Sequence, residues 1–232
     1  MRRGRAAVVL AGAVAALLPA AVLAHNVAAA DRAFLQAGGF HPAAYAYLGA
    51  KHMLTGYDHL LFLFGVVFFL QRLRDVAVYV TLFAAGHSLT LLAGVLAGWR
   101  VDPYAIDAII GLSVAYKAFE NLGGFRRLVG WQPDAQLAVA VFGLFHGLGL
   151  ATRLEQLALA RGSLVANLVS FNAGVEIGQL LALTLIVLAL DYARTRAGFE
   201  RRAFAVNVVL MTLGFLLVGY QLGGFFLGGR QA

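Results

Sequence analysis

Six apolar runs, near residues 46–70, 76–98, 103–122, 135–152, 163–191 and 203–227, follow one another with short polar breaks between them. A helix of about 20 residues, rising 1.5 Å per residue, crosses the roughly 30 Å hydrocarbon core of a bilayer. Runs of this kind fold as helices in lipid, because a helix satisfies its backbone within one segment. Composition agrees. Hydrophobic residues make up 61% of the chain, charged residues 12%, and mean hydropathy is +0.81; a soluble domain carries about a quarter charged residues. The expected fold is all-α, a polytopic membrane bundle of about six transmembrane helices.

Ahead of these runs, Arg2, Arg3 and Arg5 precede an apolar stretch from Ala6 to Leu23 that ends Val22-Leu23-Ala24. A basic start, an apolar middle and small residues before a cut describe a cleavable signal peptide. The expected organisation is therefore 1–24 signal peptide, 25–45 short periplasmic segment and 46–232 transmembrane domain. A retained signal anchor is the competing reading. Cleavage after Ala24 leaves His25 as the new terminus, where its α-amino group and imidazole form a chelating pair. His41, before Pro42, lies in the same polar stretch. Both are candidates for capturing a cation at the outer face; the plainer reading makes them part of a tail.

The net charge of +7 falls to +4 once the three arginines of the leader are removed. The rest sits mainly in the connections. With residue 25 outside, the inner connections hold Arg72, Arg74, Arg126, Arg127, Arg194, Arg196, Arg201 and Arg202, and the outer ones Arg100, Arg153, Arg161 and Arg230. This is the positive-inside bias. It predicts a multi-pass protein of a bacterial-type inner (plasma) membrane with both mature termini outside. Nucleic acid is excluded as a partner, since no basic stripe meets an aromatic platform. Gly94 and Gly98, Gly143 and Gly147, Gly174 and Gly178, and Gly219 and Gly223 form G-x-x-x-G pairs, which let helices approach closely in lipid.

The chain has no cysteine, so disulfides, thiolate metal sites and thiol catalysis are excluded. Its intramembrane ionisable groups are nonetheless numerous: His52, Asp58 and His59, then His87, then Asp107, Lys117 and Glu120, then His146, then Glu176. Such groups are costly in lipid and face a bundle interior or a water-filled path. Counted from the outer ends of their runs, His59, His87, His146 and Glu176 fall at overlapping depth. With His52 and Asp58 they are the candidate metal ligands. Neutral imidazole with carboxylate suits a divalent Ni, Zn, Cu or Fe ion.

Asn172 and Gln179, on the stripe of Glu176, and Asp107, near the outer mouth, are candidates for orienting ligands or for a polar path. His52 and His59 are seven residues apart, about 10 Å in rise along a regular helix, and Asp58 points elsewhere. Either Thr55-Gly56 marks a break, or the two histidines serve separate sites. Asp58 is alternatively the acceptor that orients a histidine ring. Lys117 and Glu120 read as a structural pair, and Ser88 and Thr90 as bonded to their own helix.

The segment His52-Met53-Leu54-Thr55-Gly56-Tyr57-Asp58-His59, followed by Gly86-His87-Ser88-Leu89-Thr90, Phe145-His146-Gly147 and Phe171-Asn172-Ala173-Gly174-Val175-Glu176, resembles the HupE/UreJ family of membrane proteins over about residues 45–190. The resemblance implies a nickel or cobalt permease linked to hydrogenase and urease maturation, with His52, Asp58, His59 and His146 handling the metal. It also implies a signal sequence and maturation proteins as partners. Met53 stands where the better-known branch has Pro, and Leu148-Gly149-Leu150 where that branch has a further His and Glu. The chain is similar to the second branch.

Three functions are open at this level. The first is a permease that passes a divalent transition metal, nickel or cobalt first, through the histidine and carboxylate site. The second is an intramembrane metalloenzyme, with Glu176 as general base to a metal-activated water. The third is an accessory subunit that binds metal without moving it. A permease needs a polar path onward to the inner face, where the sequence offers only Gln179, Lys117 and Glu120.

Overall fold

A computed structural model describes residues 39–155 and 163–228. They form α1 (Pro42–Thr55), α2 (Tyr57–Val67), α3 (Leu73–Ala97), α4 (Pro103–Asn121), the short α5 (Gly124–Leu128), α6 (Ala135–Glu155), α7 (Leu164–Arg194) and α8 (Phe199–Gly228). Among the described residues there is no strand, as the apolar runs require. The leader read from residues 1–24, and His25, lie outside the described residues.

Local chemistry sets the helix ends. Pro42 and Pro103 open α1 and α4, where a missing N–H costs nothing. The Asp102 side chain accepts the N–H of Ala105 at 3.1 Å and that of Asp134 accepts from Leu137 at 2.8 Å, each capping the helix that follows. Gly98 ends α3 in the left-handed region at φ 67°, a conformation glycine adopts without a Cβ penalty.

Five of the six expected runs are single helices of nearly the expected extent. The first differs. It starts at Pro42 and breaks at Gly56, whose ψ of 92° is extended, so a run read as 46–70 becomes two helices. Four helices, α3, α6, α7 and α8, are long and apolar enough to cross a membrane by length and composition. α4 carries Asp107, Lys117 and Glu120 within 19 residues, and α2 has only 11 residues.

Three helix pairs carry the bundle: α1 with α7, α3 with α6, and α4 with α8. Glycine makes each approach close. A Cβ at Gly174 or Gly178 would strike the backbone of Ala46 or Ala50, one at Gly143 or Gly147 that of Phe83 or His87, and one at Gly214 that of Ala115. Residue numbers rise together across the first two pairs, which are therefore parallel. They run oppositely in the third, where Gly111 meets Leu217 and Gly224 meets Tyr104. A chain that reverses direction at each successive run gives this polarity. Gly219 and Gly223, by contrast, have nothing within 4 Å among the described residues.

α2 sits centrally, touching α1, α3, α4, α7 and α8. Arg194, at the end of α7, donates to the carbonyls of Val67, Phe68 and Leu70 at 3.3, 2.8 and 2.8 Å, closing the far end of α2. Large apolar side chains such as Leu180, Leu185, Leu188, Phe215 and Phe226 are exposed around the outside, the surface a lipid-facing bundle presents. Trp99 and Trp131 are exposed in connections at opposite ends of the bundle, where indole sits in membrane interfaces.

Candidate metal centre

The Gly56 break brings together residues that a regular helix holds apart. His52 and His59 flank it, and their ring centroids lie 5.0 Å apart, about half the separation that seven residues of unbroken helix impose. From His59 the centroid of His146 on α6 lies at 4.8 Å and that of His87 on α3 at 5.8 Å. Four imidazoles from four helices thus share one cluster centred on His59, with His59, His87 and His146 buried and His52 half-buried. Of the two sequence alternatives for the first run, the break is the one observed.

The hydrogen bonds define which nitrogen each ring offers. His146 Nδ1 lies 2.7 Å from the carbonyl oxygen of Phe142. A carbonyl only accepts, so Nδ1 carries the proton and the neutral ring presents a lone pair on Nε2. His59 Nδ1 lies 3.0 Å from Asp58 Oδ1, which also accepts the His59 backbone N–H at 3.0 Å. A neutral His59 ring that donates from Nδ1 to this carboxylate has its lone pair on Nε2. Neither Nε2, nor either ring nitrogen of His87, has a hydrogen-bond partner among the described residues, although all are buried. An unsatisfied buried polar atom costs about 1–3 kcal/mol.

The bundle has an end where His41 precedes α1 and an end where Arg194 closes α7. One turn from the histidines toward the Arg194 end lies an aromatic layer of Phe62, Phe83 and Phe142. Phe62 is 5.4 Å from Phe83 and 5.8 Å from Phe142, and its ring lies 5.4 Å from that of His146. The spacings that place it, His59 to Phe62, Phe83 to His87 and Phe142 to His146, stand in the sequence. They were legible as one helical turn, but nothing said that the three turns coincide.

On the His41 side a small cavity opens. It is lined by His52, Asp58, His59 and His146, and further out by Asp107, Ile110, Gly149, Leu150 and Arg153. Its free space is about that of one water molecule. Arg153, read from sequence as a connecting-loop charge, is paired with Asp107 at its mouth.

Other candidates fall elsewhere. Glu176 lies on the exposed face of α7 and does not join the histidines, which corrects the expected ligand set. Asn172, four residues earlier, is buried, but four residues overshoot a full turn by about 40°, enough to carry position 176 out of the interior. Asn172 and Gln179 are both buried; Gln179 reaches toward the Val80 carbonyl of α3 at 3.5 Å. His41 is exposed beside the start of α1, its N–H donating to Asn167 Oδ1 at 3.0 Å. Eleven residues of helix, about 16 Å, separate it from His52.

Near the Arg194 end Lys117 bonds Glu120 at 2.9 Å, and Gln132 donates to Glu120 at 3.0 Å, the structural pair expected. Asn121 donates both to the Gly65 carbonyl at 2.8 Å and to Asn207 Oδ1 at 2.9 Å. Asn207, a lone amide in an apolar run, is the partner sequence reasoning missed. Thr90 bonds its own helix as expected, and also the Leu144 carbonyl across the pair at 2.7 Å.

As they stand, among the described residues, no group of three or more His, Asp or Glu side chains is disposed to hold one ion. The imidazoles meet at steep angles, 71° to 77° between ring planes. No curated protein and no solved structure matches the chain. Residues 29–228 match the model of the family described as HupE / UreJ protein. That span covers most of the chain, including every residue of the cluster, and its family points to a membrane accessory or metal-transport protein. The chain belongs to the HupE/UreJ family.

Proposed function

We propose that the protein binds a divalent transition-metal ion, nickel or cobalt first, at the cluster of His52, Asp58, His59, His87 and His146, and passes it across the membrane as cargo. One observation carries this reading. Buried imidazole nitrogens on His59, His87 and His146 gather at one depth without hydrogen-bond partners among the described residues, and an ion would satisfy them together. The donor set fits: neutral nitrogen with one carboxylate suits the later first-row divalent ions, and Asp58 holds the tautomer that ligation by His59 Nε2 needs. Closure around the ion requires ring rotation, and three of the rings, His52, His59 and His146, border the small cavity.

The polarity of the three helix pairs and the arginine distribution both support six crossings, with the His41 end outside. Under that topology the ion arrives through the cavity and leaves past Phe62, Phe83 and Phe142 toward Lys117, Glu120 and Asn121. Conduction needs the aromatic layer to part.

The same layer favours a second reading. Phe62 and Phe83 are buried beneath the histidines, and a site closed on that side suits an accessory subunit that holds metal without flux. Uptake of nickel or cobalt into proteoliposomes, beside metal analysis of the purified protein, separates the two. Flux that is lost in His59→Ala supports transport. Stoichiometric metal with no flux leaves the accessory reading, and neither metal nor flux removes both.

A further inference from the structure

We infer that Asp107 is a further cation-binding residue of this site, and that Arg153 is the resident positive charge an incoming divalent ion must displace from it. This rests on the metal-binding reading above. The observation behind it is that the Arg153–Asp107 ion pair and the histidine cluster line one cavity with room for about one water molecule. A guanidinium bonded to Asp107 and a divalent ion cannot share that space.

The local sequence builds the arrangement. His146, Gly149 or Leu150, and Arg153 follow at intervals of three or four residues, one stripe along α6. Gly149 lets α4 come close: a Cβ there would lie 3.0 Å from Ile106 Cγ2, 3.2 Å from Ile110 Cδ1 and 3.9 Å from Asp107 Oδ1. The Asp107 side chain is thereby buried between the two helices, while that of Arg153 keeps 23% of its surface exposed. The guanidinium can swing out to water and the carboxylate cannot. Exchange therefore replaces the guanidinium at a fixed carboxylate on the approach to the histidines.

The charge balance also selects. A singly charged ion that takes the place of Arg153 gains nothing over the guanidinium it displaces. A doubly charged ion leaves the site one charge richer beside Asp58 and Asp107, and the attraction grows with that charge. The pair thus discriminates by valence ahead of the imidazoles, which discriminate by softness.

The test is titration of the full purified chain with Co2+ alone, read by its visible ligand-field spectrum. In Arg153→Gln, Co2+ affinity rises about threefold or more as the competing charge is removed. In Asp107→Asn it falls about tenfold, and the gain from Arg153→Gln shrinks in that background. A second measurement on the unaltered chain needs no substitution. Phenylglyoxal, followed at the peptide level, labels Arg153 faster with Co2+ present than without. Affinity unchanged or lowered in Arg153→Gln, or labelling of Arg153 unchanged by Co2+, overturns the proposal. If His59→Ala abolishes Co2+ binding while the Asp107 and Arg153 variants are silent, this inference alone fails. If the folded unaltered chain binds no Co2+, the metal-binding reading fails and takes this one with it.

Discussion

Gly147 on α6 lies against the carbonyl oxygen of His87 on α3, so closely that a methyl group at position 147 has no room. The same contact sets His146 and His87 at one level, each facing His59. Gly147→Ala is therefore expected to force the two helices apart, costing about 1–3 kcal/mol of stability and loosening the histidine cluster. The unfolding midpoint in detergent and the Co2+ affinity should fall together. Gly219→Ala, with nothing within 4 Å, should move neither.

The three buried imidazoles, His59, His87 and His146, should not be equivalent to the glutamate expected at their depth. His59→Ala, His87→Ala and His146→Ala should each weaken bound Ni2+ or Co2+ about tenfold or more, and Asp58→Asn by about 10–100-fold through the His59 ring it orients. Glu176→Gln, on the exposed face of α7, should leave affinity within about twofold. Calorimetric titration of the purified variants decides it; a large loss in Glu176→Gln would put the site elsewhere.

Gly56 should be intolerant for a steric reason. Its φ of −73° is open to any residue, but an added Cβ would meet His59 Nδ1 at 2.8 Å, His52 O at 3.0 Å and Asp58 Oδ1 at 3.2 Å. Gly56→Ala is expected to push the His59 ring off Asp58 while the bundle stays folded. Metal affinity should drop about tenfold, with a smaller change in the unfolding midpoint.

Arg194 should matter to stability and not to the metal. Its guanidinium covers three carbonyls at the end of α2. Arg194→Ala should lower stability by about 1–3 kcal/mol with Co2+ affinity unchanged. Arg194→Lys should recover only part of the loss, since an ammonium lacks the planar fork that reaches several acceptors.

Much of this architecture is legible in the sequence, and the parts that are not share a cause. Run lengths located the helices within a few residues, because apolar span and capping are local: Pro103 opens α4 and Gly98 closes α3 where a sequence reading puts them. The glycine pairs announced close approach without naming the neighbour, so Gly143 and Gly219 looked alike although one faces Phe83 and the other faces outward. Depth counting gathered the histidines correctly, since depth is one coordinate. It failed for Glu176, because rotation about α7 is a second coordinate that depends on which stripe meets α1. Arg153 looked like a topology charge because only the approach of α4 at Gly149 reveals Asp107 beside it.

The interruption at Gly56 has a mechanical consequence. Upstream of it, α1 is fastened along α7; downstream, α2 is wedged chiefly against α4. His52 belongs to one body and His59 to the other, so under the proposed function the elbow between them would be the place where the ion is gripped. Any sliding of one body against the other would alter the spacing of those two rings, so a small motion at the elbow would be enough to loosen an ion proposed to sit there.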